Sequence, residues 1–291
     1  AKVLAELSYW TAERRMEVAR LPLDFAGGEN SRKSAAVVAV ALDAEQTRAM
    51  LQDVPHVYHT QINDVLLTAL ALCLARWSGQ QRHLIDLEGH GREQLFPETD
   101  VSRTVGWFTT IYPIVLELEP AQDSAPTPLT ALINHVKETV GGVPLKGIGY
   151  GLLRYLCNDA EIRERMRRLP GTEISFNYLG QFGETVSDGG HFRLTSEPTG
   201  ETRSPSGKRS YLLEVVAIVT SGTLQVSIGY SRNVHRKETI DRLAGWMRED
   251  LKRLAVQCHT AQSARHSLSE FDWSQSELDE IKAVLNQPEF N

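Results

Sequence analysis

Apolar residues recur along the chain with two different periods, and these divide it into helices and strands. Between positions 61 and 77, Ile62, Val65, Leu66, Ala69, Leu70, Leu72 and Leu74 are apolar nearly all round the helical wheel. That pattern predicts a buried helix closed by Ser78-Gly79. Val3, Leu4, Leu7 and Trp10 form a stripe at helical spacing over 1–18, where the helix starts without a capping residue. Asp43 is placed to cap a helix through about Asp53 by accepting from backbone N–H groups. Ile240, Leu243, Met247, Leu251 and Leu254 share one side of a long amphipathic helix over 237–256. Pro128 opens a helix running to Val140, shorter helices are expected near 151–156 and 159–168, and Ser274 with Glu277 offers a capping box for a last helix to Leu285.

β-like runs lie at 35–42, 83–88, 111–118 and 173–179, and the pair 211–220 and 223–230 reads as a hairpin around Ser221-Gly222. Loops are expected at 21–28 and 120–128, an exposed one at 199–208, and a Ser/Gln/His-rich linker beyond Cys258. This mixture of strands and helices fits an α/β or α+β class, with no internal repeat.

Composition narrows the class further. With 41% hydrophobic and 23% charged residues, 291 residues suffice for one or two cores. The net charge of −6 disfavours a nucleic-acid partner, which needs a concentrated basic face. Cys73, Cys157 and Cys258 are an odd and widely spaced set, suiting neither a disulfide framework nor a metal site. No run approaches a membrane-spanning length and no signal-peptide pattern opens the chain, so the cytoplasm is the default expectation. The glycine-rich stretch 141–151 matches neither phosphate-binding glycine motif. Arg163, Arg165, Arg167 and Arg168 read as a solvated face, with phosphate binding as the alternative.

One stretch carries dense chemistry. The apolar run 83–87 ends in Glu88-Gly89-His90-Gly91-Arg92-Glu93, where two glycines sit among four ionisable side chains. Glycines let backbone bend or approach a ligand closely, while the side chains offer an acid or base, a second titratable group and a cation. A solvated turn is the plain alternative.

The spelling E-G-H-G-R-E resembles a motif of the epimerisation domains of nonribosomal peptide synthetases, within the condensation-domain superfamily. Four further blocks resemble that family in its order: 63–69 (N-D-V-L-L-T-A), 103–113 (R-T-V-G-W-F-T-T-I-Y-P), 144–151 (P-L-K-G-I-G-Y-G) and 176–181 (F-N-Y-L-G-Q). One departure stands out. The family's upstream His-His-x-x-x-Asp-Gly motif is missing, and its nearest imitation, His59 to Val65, has Thr60 where the second histidine belongs.

The resemblance implies a chloramphenicol-acetyltransferase-like lobe, a central sheet flanked by helices, as the C-terminal lobe of a two-lobed domain. Residues 1–18 are then expected to end the preceding lobe, 19–262 to form the lobe itself, and 263–291 to be a linker and short helix. The implied reaction is inversion at Cα, L to D, of an aminoacyl or peptidyl thioester. Its substrate rides on the phosphopantetheine arm of a peptidyl carrier protein, with no directly bound cofactor and no metal. The missing N-terminal lobe and a downstream condensation domain are the other expected partners, and the chain alone is expected to be inactive.

Glu88 is expected as the catalytic acid/base, because partial burial after an apolar strand raises a carboxyl toward the operating pH. Asn177 and Tyr178 are candidates to hold the substrate or donate to its enolate oxygen, with a strand-end core aromatic as the equal alternative for Tyr178. His90, Arg92, Trp107 and Tyr112 are candidate substrate-binding residues; His90 can equally orient the loop, Arg92 can pair with Glu88 or Glu93, and the aromatics can wall a tunnel. Asn63 and Asp64 read as helix caps. Two rival functions share these residues: a condensation-type acyltransferase, and a non-catalytic scaffold or docking piece.

Overall fold

Six strands, β1 (Ala35–Ala41), β2 (Arg82–Gly89), β3 (Thr110–Glu117), β4 (Ile174–Phe182), β5 (Leu213–Thr220) and β6 (Thr223–Ser231), form one sheet in the order β1-β6-β5-β4-β2-β3. The computed structural model describes residues 2–93, 98–118, 128–182, 200 and 203–258. β4 runs parallel to both β2 and β5, and the remaining pairs are antiparallel. Parallel neighbours need a crossover between them. Between β2 and β4 it contains α6 (Leu129–Gly141), α7 (Ile148–Gly151) and α8 (Ala160–Arg167). This is the mixed α/β architecture expected from the sequence.

Alternation along the strands gives the sheet two unlike faces. In β5, Leu213, Val215, Ala217 and Val219 are buried while Glu214, Val216, Ile218 and Thr220 are only half covered. The buried face packs under α5 (Ile62–Ser78) and α9 (Lys237–Cys258). α5 is apolar nearly all round and ends at Gly79, whose left-handed φ of 71° suits a residue without Cβ. Asp64 closes its N-terminus, accepting from Gln61 N at 3.0 Å and Thr60 Oγ1 at 2.8 Å, whereas Asn63 makes no cap. Where α5 meets α9, the fully buried Asp250 carboxylate lies 3.2 Å from Arg76 and 3.0 Å from Arg253. Burial pushes its pKa up, against the pull of both guanidinium groups. Among the described residues, no single helix is long and apolar enough to cross a membrane.

Three elements differ from their sequence pattern. The stripe expected to make one helix over 1–18 makes α1 (Lys2–Ala5) and α2 (Leu7–Trp10), then turns away. Trp10 is fully buried, but the turn is set by Arg15, whose Nη1 donates to Pro113 O at 2.9 Å and Nε to Tyr9 O at 3.1 Å. A continuous helix would carry that guanidinium away from β3. The helix capped by Asp43 does not stop at Asp53; α3 (Ala44–Arg48) passes through a π-turn, 49–53, into α4 (Val54–Tyr58). Pro55 lacks the N–H that a regular ladder needs there. The polar stretch near 203–208 is tied down, since Arg32 N donates to Gly207 O at 2.8 Å and Lys33 N to Pro205 O at 2.9 Å. The expected loop at 120–128, all but its last residue, and the expected elements beyond Cys258 lie outside the described residues.

Candidate active site

Leu87 and Phe176 are register partners in the parallel pair β2–β4, and both are buried on the helical face. Their successors, Glu88 and Asn177, therefore project together from the opposite face. There Asn177 Nδ2 donates to Glu88 Oε2 at 2.7 Å. Glu88 stays open to solvent, yet its neighbours remove enough water to push its carboxyl above the usual range. The pair borders a cavity of about 470 Å³, lined also by Ile111, Ser175, Tyr211 and Ser227. A carboxylate with a raised proton affinity, oriented by an amide and facing a cavity, is equipped to exchange a proton with a bound carbon acid.

The turn after Glu88 owes its glycines to backbone packing. A Cβ on Gly91, where φ is 66°, would fall 1.6 Å from Phe108 O, and one on Gly89 would fall 2.9 Å from Thr110 Oγ1. His90 orients this turn. Its Nδ1 accepts from Arg92 N at 3.0 Å, so the neutral ring carries its proton on Nε2, which faces Glu93 Oε1 at 3.2 Å. Arg92 does not pair with Glu88 or Glu93. Its guanidinium donates to the carbonyls of Val101 (2.5 Å), Thr104 (2.8 Å) and Gly106 (3.3 Å) and lies 4.4 Å from the Phe108 ring centroid. Arg92 thus staples the segment 101–108 beside the Glu88 turn, and its planar fork suits three converging carbonyls better than an ammonium would.

The other sequence candidates do not converge on Glu88. Tyr178 follows Asn177 and so turns to the helical face, where it packs against the core. Tyr112, opposite Leu87 on β3, is likewise a core residue, with its phenol pushed up to about 12 by burial. Trp107 is 90% exposed in the segment that Arg92 holds. The glycine-rich stretch also finds its explanation in packing. A Cβ on Gly147, at φ 83°, would enter the Tyr112 ring at 2.0 Å, and one on Gly149 would strike Glu6 Oε2 at 2.0 Å. That Glu6 oxygen accepts from Trp10 Nε1 at 2.9 Å.

Two residues of the site face were missed by sequence reasoning. Tyr211 Oη donates to Asp86 Oδ2 at 2.8 Å, beside a second cavity of about 540 Å³. Asp86 could have been found, since it is the one acid inside the apolar run 83–87; nothing in the sequence marks Tyr211. Among the described residues, no group of three or more His, Cys, Asp and Glu is arranged to hold a metal ion.

Comparison with known proteins bears on the family and the fold. Residues 1–275 match the family model described as Condensation domain. Two linear gramicidin synthase subunits from Brevibacillus parabrevis are 43% identical over 287 residues and 40% identical over 277 residues. These alignments cover 96% and 94% of this chain but only 4% and 5% of the two synthases. Among solved structures, the epimerization domain from the third module of tyrocidine synthetase B superposes with a TM-score of 0.79 at 39% identity, over 89% of this chain and 56% of that one. The X-domain from teicoplanin biosynthesis, at 17% identity and a TM-score of 0.60 over 91% of this chain and 56% of that one, shares the fold.

Proposed function

The chain belongs to the condensation-domain family, and on that premise we propose that it forms the carboxylate-bearing lobe of an epimerising site in a nonribosomal peptide synthetase. The substrate is an L-aminoacyl or L-peptidyl thioester on the phosphopantetheine arm of a carrier protein, and the product is its D epimer. The observation that carries this reading is the Glu88–Asn177 pair on the open sheet face, within the E-G-H-G-R-E and F-N-Y-L-G-Q stretches. The thioester carbonyl acidifies the Cα–H by spreading the carbanion's charge as an enolate. Glu88 exchanges a proton at one face of that carbon, and Asn177 fixes which carboxylate oxygen faces it.

Inversion requires a second proton-transfer group on the opposite face. In this reading it is a histidine of a His-His-x-x-x-Asp-Gly segment outside these 291 residues. Residues 19–262 then act as the C-terminal lobe, and the D product passes to a downstream condensation domain. Within the same family, peptide-bond formation is the rival activity.

Deuterium uptake at Cα, measured on the complete synthetase with a loaded carrier and no acceptor, separates the two. An epimerising domain incorporates solvent deuterium and equilibrates L with D under those conditions. Peptide formation only when an acceptor is supplied, without uptake, would overturn the proposal. A site that does neither is a scaffold.

A further inference from the structure

β2 carries a second carboxylate on the same face as Glu88. Asp86 stands two residues earlier, about 7 Å away along the pleat. It faces the 540 Å³ cavity, which is lined also by Thr110, Tyr150, Arg154 and Thr172 and meets the Glu88 cavity at Ile111 and Tyr211, residues that border both. The volume suits a small-molecule group.

Asp86 is a carboxylate half withdrawn from water, and burial outweighs the two hydroxyl donors and the Arg154 charge that act on it. Its donors are the hydroxyls of Tyr211 and Thr172, and no cationic group among the described residues forms an ion pair with it. Arg154 shares the cavity and its charge acts on Asp86 from beyond ion-pair distance, while its Nη1 donates to Tyr150 Oη at 2.9 Å and Met166 O at 2.7 Å. Two hydroxyl donors leave carboxylate lone pairs open, and an N–H cation is the partner that best repays desolvation of such a group.

We propose that this cavity receives the side chain of the amino acid whose Cα lies at Glu88, and that Asp86 selects side chains ending in a primary amine. This rests on the epimerase reading above. A three-methylene side chain places its terminal nitrogen ~5 Å from Cα when extended. That reach is comparable with the ~7 Å strand rise that separates Asp86 from Glu88 on this face.

The test loads the carrier of the complete synthetase with L-ornithinyl, L-norvalyl or L-glutamyl groups and follows deuterium uptake at Cα. Ornithine and norvaline differ only in the terminal amine. The unaltered protein should exchange ornithinyl at least about tenfold faster in kcat/KM than norvalyl, with glutamyl slowest, and Asp86→Asn should bring the ornithinyl-to-norvalyl ratio close to one. Exchange without preference in the unaltered protein overturns the selectivity, whether or not the variant folds. A preference unchanged by Asp86→Asn also overturns it. Equal slowing of both substrates would place Asp86 on the α-amine they share and likewise overturn the side-chain assignment. Absence of exchange with every substrate would instead sink the epimerase reading, and this proposal with it.

Discussion

Asn177 holds Glu88 at 2.7 Å although 89 positions separate them in the chain. Neither residue reaches for the other: the parallel register of Leu87 with Phe176 makes them neighbours on one sheet face. Register of this kind decides which groups a substitution at the site can disturb.

Glu88→Gln keeps the size and the face but cannot exchange a proton. In the complete synthetase it should lower Cα deuterium uptake by about 10²–10⁴-fold, the share of one general base. Near-normal uptake would remove Glu88 from the reaction.

Asn177→Ala tests positioning through a pH profile. Glu88 acts as a base only when ionised, so activity falls as pH drops through its pKa, which burial has already raised. The Asn177 amide stabilises the ionised form, and its loss should move the acidic limb to higher pH. An unshifted limb with reduced turnover would mean that Asn177 contacts substrate and leaves Glu88 alone.

Gly147→Ala should destabilise the fold. The new Cβ meets the Tyr112 ring at 2.0 Å, and φ 83° is itself unfavourable for alanine. Overpacking of this kind costs about 1–3 kcal/mol, visible as a lower denaturant midpoint with an unchanged slope. A midpoint within error of the unaltered protein would show that the ring moves aside freely.

His83 predicts an acid-sensitive fold. It is buried beside Ser78 Oγ at 2.8 Å, and desolvation lowers its pKa to about 4 from an ordinary value near 6.5. The folded state therefore holds it neutral while the unfolded chain takes up a proton. Its contribution is intact above about pH 6.5 and is lost progressively toward pH 4, on the order of 3 kcal/mol in all. Denaturant titrations at pH 7.5 and 5 should show less pH dependence in His83→Gln; equal dependence would assign the acid sensitivity elsewhere.

Most elements were legible because their periods are clean. α5, α9 and the β5–β6 hairpin lie where alternation and helical spacing put them, and E-G-H-G-R-E drew attention to Glu88 before any geometry was known. What remained hidden depends on contacts remote in sequence. The 1–18 stripe could not reveal that Arg15 would turn away to bond Pro113 O. The glycines at 147 and 149 pointed to unusual backbone but not to the Tyr112 ring and the Glu6 carboxylate that occupy the space beside them. Asn177 and Tyr178 are adjacent letters of one motif, yet strand parity sends them to opposite sides of the sheet. A motif records which residues are present; the pleat decides which of them can meet.

The same parity limits how this site can change over evolutionary time. Because β2 presents Asp86 and Glu88 on one face and Ile85 and Leu87 on the other, a substitution alters one group and leaves the rest in place. Insertion or deletion of one residue before Glu88 would instead rotate a carboxylate into the helical core and an aliphatic side chain into the cavity. A lineage of such domains can therefore explore new chemistry here by replacing letters, while changes of length are confined to the turns, such as the segment that Arg92 pins beyond the strand's end.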